Sequence, residues 1–484
     1  MSVSRHAGYN LIGAILPSLL TLLTVPAYLQ VVGIERYGVL TLCWILVGYA
    51  GILDVGLGLA AGSKIAALRD NRSKAAAVFW TTACIGLAIG LIAGIVMYVG
   101  ASLYLPTLAE ANSALRGELA GTAPLLALMM PIALIGSALS GALTGRERFG
   151  FMNVANGVGQ TLTAALPLAV AYFWTTDLRW LVACLLAGRF LILPWMYWEV
   201  RRAVPLGAPV RPTWSQAKEL VTLGGWMSLI FTANSVIQTL DRMLIGSRIG
   251  AAAVPIYAVP YGLMSRIILI PHSLSAALFP RYAYLPEEER ARVNSSSIEA
   301  VAVIVSPALI ALIAVAEPFF TLWVGTELAS PALPVAYALA GGFWLYCIGH
   351  MAYSMLQAMG RPDVVAKVLL AELLPYALLL VAGLWAFGIM GAAAAFTARA
   401  AVDCAIFLRL AAVPARTVRR LVVPALLTAG ALLTASLTAG PVHYLVLLLL
   451  FAACLGWSLL NVPGSLRPYL GRFAQFMPRR YEDN

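Results

Sequence analysis

Eight ionisable side chains lie inside stretches otherwise apolar enough for a membrane interior: Asp54, Arg189, Asp241, Arg242, Arg266, Glu372, Arg399 and Asp403. A guanidinium offers paired, charge-assisted donors to a phosphate or carboxylate. A buried carboxylate can take up a proton or hold a cation. Each such group costs about 2.5–3.5 kcal/mol at the bilayer centre, so it must face protein or a hydrated cavity. Arg266 stands near the middle of a long apolar run with no acid within a helical turn, which leaves a water-filled cavity or an interhelical pair with Asp54 or Glu372. Arg189 likewise has no acidic residue within a helical turn in sequence, and snorkelling to the helix end is its alternative. Arg399 and Asp403 are four residues apart, hence on one helix face, and read as a self-neutralised pair or as cavity residues. Arg242 follows Asp241 near a helix end, where anchoring or gating competes with ligand contact. Asp54 sits in Leu53-Asp54-Val55-Gly56-Leu57-Gly58. It either bonds a neighbouring helix or takes part in ion coupling, for which Glu372 and His350 are further candidates.

Uncharged polar residues recur at helical spacing in three separate stretches. They are Asn153, Asn156, Gln160 and Thr163; then Asn234 and Gln238 ahead of Arg242; then Tyr346, His350, Ser354 and Gln357. Each set makes one stripe under the 3.6-residue period. A lone amide in a membrane helix is usually interhelical glue; three stripes are expected to line a shared hydrated cavity. Tyr257 and Tyr261 share a face and offer surfaces for stacking on sugar rings, with a place in the interfacial aromatic belt as the alternative for Tyr257.

The elements that must position these groups are transmembrane helices. Of 484 residues, 61% are hydrophobic and 11% charged, against roughly 25% charged in soluble domains. Spans of about 20 apolar residues divide the chain into fourteen: 8–32, 38–66, 75–103, 120–144, 151–174, 179–199, 220–246, 254–283, 298–323, 333–359, 364–387, 389–411, 421–439 and 443–461. The first is too long for a signal-peptide core. With a cytoplasmic N-terminus, 24 of the 32 Lys and Arg residues fall on the cytoplasmic side, four (Arg36, Arg116, Arg179, Arg248) on the other side and four within spans. That asymmetry places both termini in the cytoplasm. It also explains the net charge of +11 without a nucleic-acid partner. The six cysteines form no C-x-x-C pair and read as small buried hydrophobes, with neither a disulfide framework nor a metal site. Prolines within spans, including Pro167, Pro194 and Pro260, are expected to bend their helices. The loops are short, Arg201 to Glu219 among the longest, and no P-loop, zinc-protease or nucleophile-elbow motif appears. A transporter is favoured over a membrane enzyme, and no cofactor is expected.

Two punctuation marks recur. Gly33 and Gly145 are 112 residues apart, and Gly250 and Gly360 are 110 apart. Helices one to six and seven to twelve therefore read as parallel copies of one unit, related by a pseudo-two-fold axis along the membrane normal. The expected organisation is an N-terminal six-helix lobe at 1–203, a cytoplasmic linker at 204–219, a C-terminal six-helix lobe at 220–412, and two extra helices with a cytoplasmic tail at 413–484.

Several of these marks carry a resemblance. Asn10, Gly33-Ile34-Glu35-Arg36-Tyr37-Gly38, Leu53-Asp54-Val55-Gly56-Leu57-Gly58, Asp241-Arg242 followed by Ile256-Tyr257, and the Gly-Arg ends at 145–146 and 360–361 resemble the polysaccharide (O-antigen-type) flippases of the multidrug/oligosaccharidyl-lipid/polysaccharide exporter superfamily. The resemblance implies two six-helix lobes around a cationic central cavity in a bacterial inner-membrane protein. It implies movement of undecaprenyl-diphosphate-linked oligosaccharide between leaflets by alternating access, with a polysaccharide polymerase and a chain-length regulator as partners. Arg266 fits the cationic pattern best, Arg189 and Arg399 less directly. Cation-coupled drug antiport and lipid II flipping are the alternatives within the superfamily; a membrane glycosyltransferase or polymerase is the alternative from another class.

Overall fold

A computed structural model describes residues 23–68, 71–108, 113–204, 214–437 and 440–462, although side chains at 49–56 and 214–231 are among those not described. Among the described residues every regular element is helical. Helix α1 runs Leu23–Val32, then α2 Ile34–Ala67, α3 Arg72–Tyr104, α4 Ser113–Gly145, α5 Phe149–Phe173, α6 Leu178–Phe190, α7 Ile192–Ala203 and α8 Trp214–Ile249. There follow α9 Ala253–Met264, α10 Leu269–Tyr284, α11 Glu287–Val324, α12 Thr326–Ala358, α13 Pro362–Leu410, α14 Ala415–Arg420, α15 Val422–Leu437 and α16 Pro441–Leu460. Ten helical stretches among the described residues are long and apolar enough to cross a membrane. One of them, Asp363–Leu410, covers two expected spans. At 48 residues it would be about 72 Å long if straight, more than twice the hydrocarbon thickness. Gly388 breaks it, with φ 59° and ψ −138°.

Two compact units divide between Pro255 and Ile256. In the first, small residues set the helix spacing. Gly86, Gly90 and Gly94, four apart on α3, meet the backbone of α4 at Leu134, Pro131 and Ala127; without side chains there, the helices approach to backbone contact. On another face of α4, Gly141 lies against the Gly58 carbonyl of α2 and Gly145 against that of Gly62. Gly145 is therefore a packing residue inside its helix. The left-handed turn after α4 falls on Glu147 (φ 58°), whereas Gly33, Gly250 and Gly360 take positive φ themselves. Helix α8, expected to open the second lobe, belongs to the first unit: Gly246 packs on Leu42 and Leu108, and the Tyr104 hydroxyl donates to the Met243 carbonyl at 2.8 Å. It also begins at Trp214, inside the stretch expected to be linker, of which 205–213 lie outside the described residues.

One end of the first unit is tied by charge. Arg36 pairs with Glu118 at 2.7 Å, Glu118 also accepts the Leu178 amide at 3.1 Å, and Asp177 caps α6 while pairing with Arg179 at 2.5 Å. Hydrogen bonding from Arg179 is the largest of the causes holding the Asp177 carboxyl below its usual value. Such a group stabilises the fold above the ordinary carboxylate range and stops doing so as pH falls through its lowered value. Acidification from pH 5 to 3 should therefore lower the melting temperature, and Asp177→Asn should flatten that slope. Because Arg179 is exposed, solvent screening keeps the effect small, and added salt should reduce it further.

In the second unit, α11 and α12 turn at Gly325 (φ 79°) and are tied by the Trp344 indole N–H donating to Ser306 at 2.8 Å. The Thr397 hydroxyl fixes α13 to the Ala338 carbonyl at 2.7 Å. Arg420 reaches both oxygens of Glu299, at 2.9 and 2.8 Å. All six cysteines are free thiols. Cys43, Cys347, Cys404 and Cys454 are buried as expected, Cys184 is half-buried, and Cys84 departs from expectation by standing on an exposed apolar face.

Candidate functional site

The polar stripe of α5 opens into a cavity of about 420 Å³ in the first unit. Asn156, Gln160 and Thr163 line one wall, Arg189 of α6 faces them, and Ser140 of α4 and Trp44 of α2 complete the polar rim. Local sequence explains the assembly. Gly188 sits where α6 crosses α5, and a Cβ there would stand 3.2 Å from the Thr163 amide nitrogen. Close approach at Gly188 sets the neighbouring Arg189 beside the amides of α5. Pro167 supplies no N–H for the Thr163 carbonyl, and Pro194 none for that of Phe190, so both helices have an interrupted ladder beside the cavity. Tyr28 of α1 donates to the Ala164 carbonyl at 2.7 Å and meets Trp44 edge-on at 5.4 Å, which fixes this wall. A guanidinium, two amides and two hydroxyls around one opening can hold an anionic, hydroxyl-rich group. Asn153 lies one turn earlier, half-buried, outside the lining.

The α8 stripe is engaged locally. Arg242 pairs with Asp241 at 3.2 Å and donates to the Gln238 carbonyl; Asn234 and Gln238 are half-buried on the same helix.

In the second unit, Arg399 pairs with Asp403 at 2.7 Å and with Glu372 at 3.7 Å, all three residues less than 10% exposed. The Tyr376 ring lies 5.1 Å from the guanidinium carbon. Arg399 thus belongs to a buried cluster of two carboxylates and one cation, and is not presented as an open cationic surface. The self-neutralised pair expected from spacing gains Glu372 from the other half of α13, which sequence distance concealed. Tyr261, expected to line the cavity, is packed into an aromatic core against Phe343 at 5.1 Å and Phe396 at 5.7 Å. Tyr257, fully buried, stacks on it at 6.0 Å. Neither ring face is open to a sugar.

His350 joins a ladder of rings: Tyr346 at 5.9 Å, Tyr353 at 5.5 Å, and His272 of α10 stacked at 4.4 Å. Gln357 donates to the Tyr353 hydroxyl at 2.9 Å. Tyr353 was legible as the i+3 neighbour of His350; nothing in the spacing pointed to His272. Arg266 falls on a 3-10 turn, Ser265–Ile268, between α9 and α10, with its side chain exposed. Asp54 lies on α2, its side chain outside the described residues.

The chain matches the family model described as polysaccharide biosynthesis protein over residues 31–330. It is 26% identical over 413 residues to a Shigella flexneri protein named "Putative O-antigen transporter", covering 83% of this chain and 96% of that one. Its fold is similar to a solved structure of the lipid II flippase MurJ in an inward closed conformation (TM-score 0.70, 12% identity, 92% of this chain and 97% of that one). It is also similar to an inward-facing multidrug resistance MATE family transporter (TM-score 0.68, 15% identity, 84% and 98%). At these identities the two structures bear on the fold alone. With residues 31–330 matched by the family model and ten helical stretches among the described residues able to cross a membrane, the chain belongs to the polysaccharide biosynthesis protein family and is a multi-pass membrane protein.

Proposed function

We propose that this protein flips undecaprenyl-diphosphate-linked oligosaccharide from the inner to the outer leaflet of the bacterial inner membrane by alternating access, with both termini in the cytoplasm. The observation that carries the proposal is the cavity in which Arg189 faces Asn156, Gln160 and Thr163. A diphosphate-sugar head cannot cross hydrocarbon unaided, because each polar group stripped of water without a partner costs several kcal/mol. A guanidinium with flanking amides replaces that water: Arg189 holds a phosphate oxygen pair, and the amides and hydroxyls take sugar hydroxyls. No bond is made or broken in this step.

Coupling to an ion gradient is part of the same reading, with Glu372 as the carrier and Asp54 as the candidate in the first unit. Two carboxylates share one guanidinium at Arg399, so a single proton makes that cluster neutral, and its gain or loss changes the charge of a dry interior. A polymerase and a chain-length regulator would act on the delivered product.

The test is genetic and biochemical. In a strain lacking the gene, the lipid-linked oligosaccharide should accumulate on the cytoplasmic leaflet, and the wild-type gene should restore surface glycan. Arg189→Ala, at normal protein level, should reduce export at least tenfold, and Arg189→Lys should retain part of it because the charge remains without the bidentate geometry. Undiminished export by Arg189→Ala would remove the cavity from the pathway. Normal surface glycan with drug sensitivity in the deletion strain would favour antiport.

A further inference from the structure

A second cavity is lined by α3, α4 and the α6–α7 stretch, of which the last two also line the Arg189 cavity. It is an apolar groove of about 490 Å³ whose lining includes Phe79, Trp80, Leu87, Ile135, Phe190 and Pro194. The α6–α7 stretch, interrupted at Leu191, presents two adjoining stripes. Residues 189, 192, 193 and 196 line the polar cavity, while 190, 193, 194 and 197 line the groove. Both follow the i, i+3, i+4, i+7 pattern of a helix face, offset by one residue, and Leu193 belongs to both. Helix α4 repeats the division, with 132, 133, 136 and 140 on the polar side and 135 and 139 on the apolar side. Leu193 meets α4 at Gly136: a Cβ there would stand 3.4 Å from Leu193 Cδ2. Leu193 is thus the residue common to the two linings, and it packs against a glycine. The groove opens outward, with Leu87 43% and Phe190 56% exposed.

We propose that this groove seats the first isoprene units of the substrate's lipid anchor while the diphosphate-sugar head occupies the Arg189 cavity, the lipid crossing at Leu193–Gly136. The inference rests on the flippase reading above. Its occupant is an isoprenoid for a physical reason. Trisubstituted double bonds leave such a chain fewer rotamers to lose than a saturated acyl chain, and its methyl branches suit the flat faces of Phe79, Trp80 and Phe190 and the ring of Pro194. Since a cavity of about 150 Å³ takes one benzene, the groove accommodates on the order of three five-carbon units. The break in the helix at Leu191 and Pro194 lies at the crossing, where an interrupted ladder lets the wall yield.

The experiment uses the full chain in nanodiscs of phosphatidylethanolamine and phosphatidylglycerol. A photo-crosslinking phenylalanine analogue replaces Leu87, and binding of undecaprenyl diphosphate and of inorganic diphosphate is measured for wild type and for Cys84→Trp, Cys84 being an exposed residue of the groove lining whose replacement by the larger ring fills the groove from its rim. Expected is a crosslink to undecaprenyl diphosphate, and in Cys84→Trp an approximately tenfold weaker affinity for undecaprenyl diphosphate with unchanged affinity for inorganic diphosphate. Crosslinks to bilayer phospholipid alone, undiminished by added undecaprenyl diphosphate, would overturn the groove assignment while leaving the head cavity in place. So would full undecaprenyl diphosphate affinity in Cys84→Trp. Failure of wild type to bind either diphosphate would bring down the flippase reading together with this inference.

Discussion

Arg399→Leu should destabilise the protein by about 3–5 kcal/mol, the loss expected when one partner of a buried ion pair is removed and the rest is left uncompensated. The cluster concentrates two buried carboxylates on a single buried cation. Glu372 and Asp403 are both buried and both rely on the same guanidinium, at 3.7 and 2.7 Å. Unfolding of the purified protein in a denaturing-detergent titration measures the loss. The triple variant Arg399→Leu, Glu372→Gln, Asp403→Asn should recover most of it, because no charge then remains stranded. If Arg399→Leu unfolds like wild type, water reaches the cluster and the carboxylates do not depend on arginine.

Gly391→Leu should be nearly as damaging, by steric means. The two halves of α13 fold back at Gly388, and Gly383 and Gly391 meet backbone to backbone, so a Cβ on Gly391 would overlap the Gly383 carbonyl. Overpacking typically costs about 1–3 kcal/mol, and here the obstacle is main chain that cannot rotate aside. The steady-state level of Gly391→Leu in membranes should fall several-fold. Gly456→Ala, with open space around the position, should be within about 0.5 kcal/mol of wild type.

Most of the helical architecture was readable because bilayer thickness imposes a length on each apolar run. The spans at 179–199 and 254–283 were each expected as one helix and are each interrupted, at Leu191 and at Ser265–Ile268; Pro194 and Pro260 signalled a bend but not its form. The α5 stripe at Asn156, Gln160 and Thr163 was legible from period alone. Its meeting with Arg189 was not, since that depends on Gly188 allowing a close crossing, and a glycine before an arginine has no distinctive pattern. Tyr261 shows the converse limit. Spacing told which residues share its face, but burial was decided by Phe343 and Phe396, more than eighty residues away in sequence.

The length of α11 has a bearing on where the Arg420–Glu299 pair does its work. At 38 residues the helix is about 57 Å long, beyond the 40–45 Å of a whole bilayer with its headgroups. Its acidic first turns, Glu287, Glu288 and Glu289, must emerge into water, which brings Glu299 to the waterline at the foot of the apolar stretch. The clasp joining the two last helices to the rest of their unit is then governed by ionic strength and headgroup charge, a seam whose tightness the surrounding lipid can tune.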